Sequence, residues 1–200
     1  MVTHEGARIL GILLLMLTFS MAPVEGLVPS AEASRLSKAV RHAAKQIKKP
    51  FVKARDEIAS EACDVGFNIA RDGIQGSGTA MPLSKRQRAH LNRGFADLIG
   101  RVTFRYGAKM QRVRITVQGK ILYETIPADG QTFGHTVYVK GQYAPDDATQ
   151  LRLLTHELTH VRQVERGDFG SKYCNALVKA NFTYSRNAME QEAYAAEYSP

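Results

Sequence analysis

The sequence predicts an α+β domain preceded by a helical arm, and three observations carry that expectation. Apolar residues recur at helical spacing up to about residue 98, alternate in short runs between residues 102 and 140, and then return to helical spacing. A stretch rich in glycine, residues 73–82 (GIQGSGTAMP), separates the first helical part from the rest. His156 and His160, four residues apart with Glu157 between them, sit inside the last long helical pattern. A chain of 200 residues with 44% apolar side chains can build one such domain and its core.

Residues 1–33 read as a signal peptide. Arg8 gives a positive start, and Ile9 to Phe19 is an apolar run of signal-core length. A membrane-spanning helix needs about 20 apolar residues, and Pro23 and Glu25 interrupt this one. Small-residue cleavage sites follow at Val24-Glu25-Gly26 and Ala31-Glu32-Ala33, the second favoured; an uncleaved anchor is the rival reading. The expected location is therefore secreted or periplasmic.

Residues 34–72 read as a basic helical arm. Leu36, Val40, Ala43, Ala44 and Ile47 mark a first amphipathic helix, which Pro50 stops. A second helix, running to about Arg71, places Phe51, Ala54, Ile58, Ala62, Val65 and Ile69 on one apolar face. Removing residues 1–33 takes away one basic and three acidic residues, raising the net charge from +8 to +10. Much of that excess lies in residues 35–55, which suit an anionic surface or simply a solvated helix face. Single-stranded nucleic acid is a poor partner, because Phe51 stands alone without an aromatic ladder.

Residues 82–200 should form the main domain. A helix over about 84–98 contributes Leu91, Phe95 and Leu98 to the core. Strands are expected at 102–106, 113–117, 121–126 and 136–140, with a hairpin through Gln118-Gly119-Lys120. A helix then opens near Pro145 and the aspartates 146 and 147 and ends at about Arg166, closed by Gly167; a last helix begins near Asn187. Cys63 and Cys174, the only cysteines, allow one disulfide or two buried thiols.

The chemistry is concentrated in Leu154-Thr155-His156-Glu157-Leu158-Thr159-His160. Four residues along a helix return to nearly the same face, so both imidazoles can reach one ion at about 2.1 Å. Glu157, rotated about 100° from His156, is placed to handle a water proton instead of ligating. Leu151, Leu154, Leu158 and Val161 form a core stripe opposite the histidines, leaving Leu153 and Gln163 toward a cleft. A third ligand must come from a downstream carboxylate: Glu165, Asp168, Glu190, Glu192 or Glu197. Glu165 points elsewhere on the same helix. Asn187 and Glu190 have capping-box spacing, and spacing alone leaves Glu190 and Glu192 both open.

Gly134 to Val139, a short acidic loop, then Leu153-Leu154-Thr155-His156-Glu157-Leu158-Thr159-His160-Val161-Arg162-Gln163 resembles the bacterial zincin-like metallopeptidase core domain found alongside extracellular contractile injection systems. The likeness covers about residues 82–197, and Asn187 to Ala193 is similar to that family's ending. The resemblance implies a zincin-like fold with a small mixed or antiparallel sheet, a His-Glu-x-x-His helix and a C-terminal glutamate helix. It implies Zn2+ held by His156, His160 and Glu190, with Glu157 as general base. It assigns the strand 136–140 as the sheet edge for an extended peptide. His135, Tyr138, Tyr143 and Tyr184 are the candidate oxyanion donors. One departure stands out: Tyr194 occupies the place where many such enzymes carry an aspartate that orients a histidine ligand.

The expected function is an exported zinc-dependent metallopeptidase acting on a peptide or protein. The alternative is a catalytically silent zincin-fold structural or effector module, binding an anionic surface through residues 35–55.

Overall fold

The structure, a computed structural model, describes residues 38, 53–54, 56–117, 119–125 and 128–198. The expected signal peptide (1–33), the helix expected over 34–49 and most of the basic stretch 35–55 lie outside the described residues. Among the described residues the chain is α+β, with five α-helices and a small mixed sheet. No helix among them is long and apolar enough to cross a membrane.

Helix α1 covers residues 56–74 and buries a face of mostly small side chains: Ala59, Cys63, Gly66, Ala70, and finally Ile74. This corrects the sequence reading, which put Ile58, Val65 and Ile69 on the packed side; all three are exposed. Close approach decides the face. A Cβ at residue 66 would lie 2.6 Å from the carbonyl oxygen of Arg114, so only glycine lets the helix come this near. The same face carries the Cys63–Cys174 disulfide, which settles the question the two cysteines left open.

The glycine-rich stretch after α1 is tied down. The Arg105 guanidinium donates to the carbonyl oxygens of Gly76, Ser77 and Gly78 at 2.7–2.9 Å. Thr79–Ala80 (β1) then pairs antiparallel with Thr103–Tyr106 (β2). Between them Lys85–Phe95 (α2) starts at a capping box of Ser84 and Gln87, and Leu91, Phe95 and Leu98 enter the core as expected.

Arg114–Val117 (β3) and Lys120–Glu124 (β4) make the expected hairpin, a separate two-stranded sheet. Gly130–Phe133 (β5) and Thr136–Val139 (β6) form a second hairpin. The four-stranded sheet runs β1-β2-β6-β5, with β6 parallel to β2 and antiparallel to β5. Strand 136–140 is therefore interior, not the edge the resemblance assigned. The edges are β1 and β5, and β5 returns along β6 because Gly134, at φ 60°, permits a tight reversal.

Ala148–Glu165 (α3) carries the histidines and is capped by the Asp147 side chain. Leu154, Leu158 and Val161 pack against Leu91, Phe95, Phe104, Val137 and Val139. The remaining faces of its middle turns are buried as well. Gly167 ends α3; Phe169–Lys179 (α4) follows, then a 3-10 turn at Tyr184–Arg186 and Ala188–Glu197 (α5).

Candidate metal centre

One turn of α3 separates His156 from His160, and their Nε2 atoms lie 3.1 Å apart. Oε2 of Glu190, from α5, is 3.2 Å from the first and 3.6 Å from the second. Ligand atoms at 2.0–2.1 Å around a tetrahedral ion are separated by about 3.3 Å, so the three atoms form nearly one face of such a tetrahedron. All three residues are buried.

The outer atoms of the rings are engaged. Nδ1 of His156 meets Oε1 of Glu197 at 2.8 Å, and Nδ1 of His160 meets Oε1 of Gln163 at 2.8 Å. Both partners are acceptors, so each neutral ring carries its hydrogen on Nδ1 and turns the Nε2 lone pair inward. Gln163 is itself oriented, its amide donating to the Met189 carbonyl and to Glu192. Oε2 of Glu190 is buried and accepts no hydrogen bond. With both rings neutral, three electron-rich atoms thus converge without a donor among them. A cation relieves that repulsion, and the residues fit one.

Glu190 is held by more than its helix. The Tyr173 hydroxyl donates to its Oε1 at 2.7 Å, leaving Oε2 for the centre. Asn187 caps α5 alone, accepting from the Met189 N–H, so Glu190 is not spent on a capping box. The other candidate carboxylates lie elsewhere. Glu192 pairs with Arg166 at 2.7 Å, Glu165 with Arg101 at 2.6 Å and with His135, Glu197 meets the outer nitrogen of His156, and Asp168 is exposed before α4. Burial acts to raise the Glu190 carboxyl, but the two imidazoles outweigh it and hold it well below the usual range. Burial likewise acts to lower His160, yet Glu190 and Glu157 carry it up to about 9. His156 is raised by the same contest.

Glu157 lies alongside, buried, with Oε2 accepting a 2.7 Å hydrogen bond from the Thr132 hydroxyl on β5. Its other oxygen stands 2.5 Å from where a Cβ on residue 130 would be, so Gly130 makes room for it. Burial, the largest influence, pushes this carboxyl up.

These groups open into one cavity of about 510 Å³, which Glu157, Tyr184, Tyr194 and Glu197 also line. Of the four candidate oxyanion donors only Tyr184 reaches it. His135 pairs with Glu165, Tyr138 packs with Ala70, Ile74 and Phe133, and Tyr143 packs on Tyr106. Tyr194 lies edge-on to His156 at 4.8 Å, and the carboxylate missing from its position is supplied one turn on by Glu197. The sequence reading weighed Glu197 only as a ligand and missed Thr132 and Tyr173. A signal for Glu197 was present: residues 190, 194 and 197 share one face of a helix.

Fold and site together define an α+β domain with a buried His-His-Glu group able to hold a metal ion. Residues 82–168 match the eCIS core domain family, the core domain of extracellular contractile injection systems. The matched residues include His156, Glu157 and His160 and end before Glu190. No curated protein and no solved structure matches the chain.

Proposed function

We propose that the chain is an exported, zincin-like, zinc-dependent metallopeptidase. The observation that carries the reading is the convergence of two Nε2 atoms and a bare Glu190 oxygen beside a buried, hydrogen-bonded Glu157. His156, His160 and Glu190 would hold the zinc. Bound there, zinc supplies Lewis acidity toward a peptide carbonyl and toward a water molecule.

The chain's own residues account for the remaining requirements. Glu157 accepts the proton of the attacking water and returns it to the leaving amine. Burial raises its proton affinity, the direction that a general base needs. Thr132 fixes the carboxylate's direction. Tyr184 lines the cavity beside Glu190 and would donate to the carbonyl oxygen as charge builds there. Strand β5 lines the cavity and pairs with no strand on its outer side among the described residues, so an extended peptide can add to it.

The test is cleavage of an unstructured polypeptide by zinc-loaded protein. Cleavage should stop with a chelator and in Glu157→Gln, which should still retain one zinc. Absence of cleavage by the loaded wild type, or equal cleavage by the variant, contradicts the proposal.

A second reading is favoured by the eCIS core match: a catalytically silent module serving a contractile injection system, with residues 35–55 on an anionic surface. In that case Glu157→Gln leaves biological activity unchanged.

A further inference from the structure

Beyond His160 the cavity continues along a wall of aromatic rings. Phe169 lies 5.9 Å from the His160 ring, 5.6 Å from Tyr173 and 5.7 Å from Phe67, and Phe67 lies 5.0 Å from Phe133. Leu177 completes the wall. The rings come from three separate elements, α1, β5 and α4, so the wall is not one helix's apolar stripe. The disulfide holds it together: Cys63 stands one turn before Phe67, and Cys174 follows Tyr173 directly. Phe67 and α4 lie outside the residues that match the eCIS core domain, whereas Phe133 lies within them.

Outside the metal-centre group, the charges that the described residues bring to the cavity are of one sign. Apart from that group and Glu157, the ionisable carboxylates are Glu124, Asp129 and Glu197, and among the described residues no lysine or arginine lines it. Glu124 faces Arg112 and Arg114 at 3.6 and 2.8 Å on its outer side, and Glu197 is engaged by His156. An acidic side chain entering the aromatic arm would lose water and find no lysine or arginine among the described residues there, which is costly. A basic one would find carboxylates already partnered. A large apolar side chain loses only unfavourable hydration.

We propose that the aromatic arm of the cavity, bounded by Phe67, Phe133, Phe169, Tyr173 and Leu177, selects a bulky apolar side chain of the polypeptide substrate next to the bond that is cut. This rests on the peptidase reading above, and it makes α1 a specificity element of the site. Phe67 is the contribution of α1, and the disulfide ties that helix to α4, which carries Phe169 and Tyr173.

The test uses three probes on the zinc-loaded full protein: acetohydroxamate, N-acetyl-phenylalanine hydroxamate and N-acetyl-aspartate hydroxamate, with affinities read by calorimetry. The phenylalanine probe should bind about 10-fold tighter, or more, than either of the others. Phe67→Glu should erase that preference. Equal affinities for the phenylalanine and aspartate probes overturn the inference while leaving the metal centre standing. Failure of all three hydroxamates counts against the metal centre instead. The pocket is then read on metal-free protein by the NMR shifts of the Phe67 and Phe169 rings. N-acetyl-phenylalanine amide should move them and N-acetyl-aspartate amide should not; shifts with neither, or with both, overturn the inference.

Discussion

Tyr173 donates to one oxygen of Glu190 and leaves the other aimed at two imidazole nitrogens, while Glu197 and Gln163 hold the far sides of those rings. Partners of this kind set the direction and basicity of a ligand, so Glu197→Ala should weaken zinc binding about 10- to 100-fold, measured by competition with a chromophoric chelator. Unchanged affinity would show that the contact is incidental. In the metal-free protein the raised affinities of the imidazoles make a further prediction. Protonated His160 beside Glu190 and Glu157 stabilises the fold fully below the unfolded value of 6.5, and this contribution is lost as pH rises through about 9. Thermal melts of metal-free protein should therefore fall across that window. Zinc-saturated protein should fall less, since the ion replaces the proton. The ligand histidines and Glu157 were legible in the sequence because a helix repeats its face every four residues. Choosing Glu190 over Glu192 needed the resemblance, and geometry explains it: Glu192 faces Gln163 and Arg166. Thr132 left no sequence signal, because its role depends on a strand brought alongside α3 by tertiary contact.

At the level of elements, α1 is held to the domain mostly through small residues, Ile74 and a disulfide, with Ile58, Val65 and Ile69 facing outward. Ile69→Lys should therefore change stability by less than about 0.5 kcal/mol. The Cys63→Ala, Cys174→Ala pair should cost about 2–5 kcal/mol in denaturant unfolding, given the 111-residue separation that the bond closes. The opposite ranking would restore the face that periodicity favoured. That reading failed because counting large apolar residues ignores how near a helix can pack, and Gly66 shows that nearness governs here. Strand β5 (GQTF) and helix α4 (FGSKYCNALVK) were not foreseen either. The first is four residues without alternation, and the second opens after Asp168 in a left-handed conformation with no side-chain cap. Both exist through pairing and burial, not local preference.

For the whole molecule, the group able to hold a metal ion joins parts that are distant in sequence. His156 and His160 come from the helix packed against the main sheet, and Glu190 comes from the last helix, beyond the residues that match the eCIS core domain. A ligand that binds only the folded state stabilises it according to its concentration over its dissociation constant, so zinc at about 100 times that constant should add about 2.7 kcal/mol. The melting temperature should rise with zinc and return on chelation. The most direct measurement is metal analysis of purified full-length protein beside His156→Ala. One equivalent of zinc in the wild type, lost in the variant, is the expected result. Metal-free wild type that takes up none when offered zinc, or a variant that retains the full equivalent, would contradict a centre built from His156, His160 and Glu190.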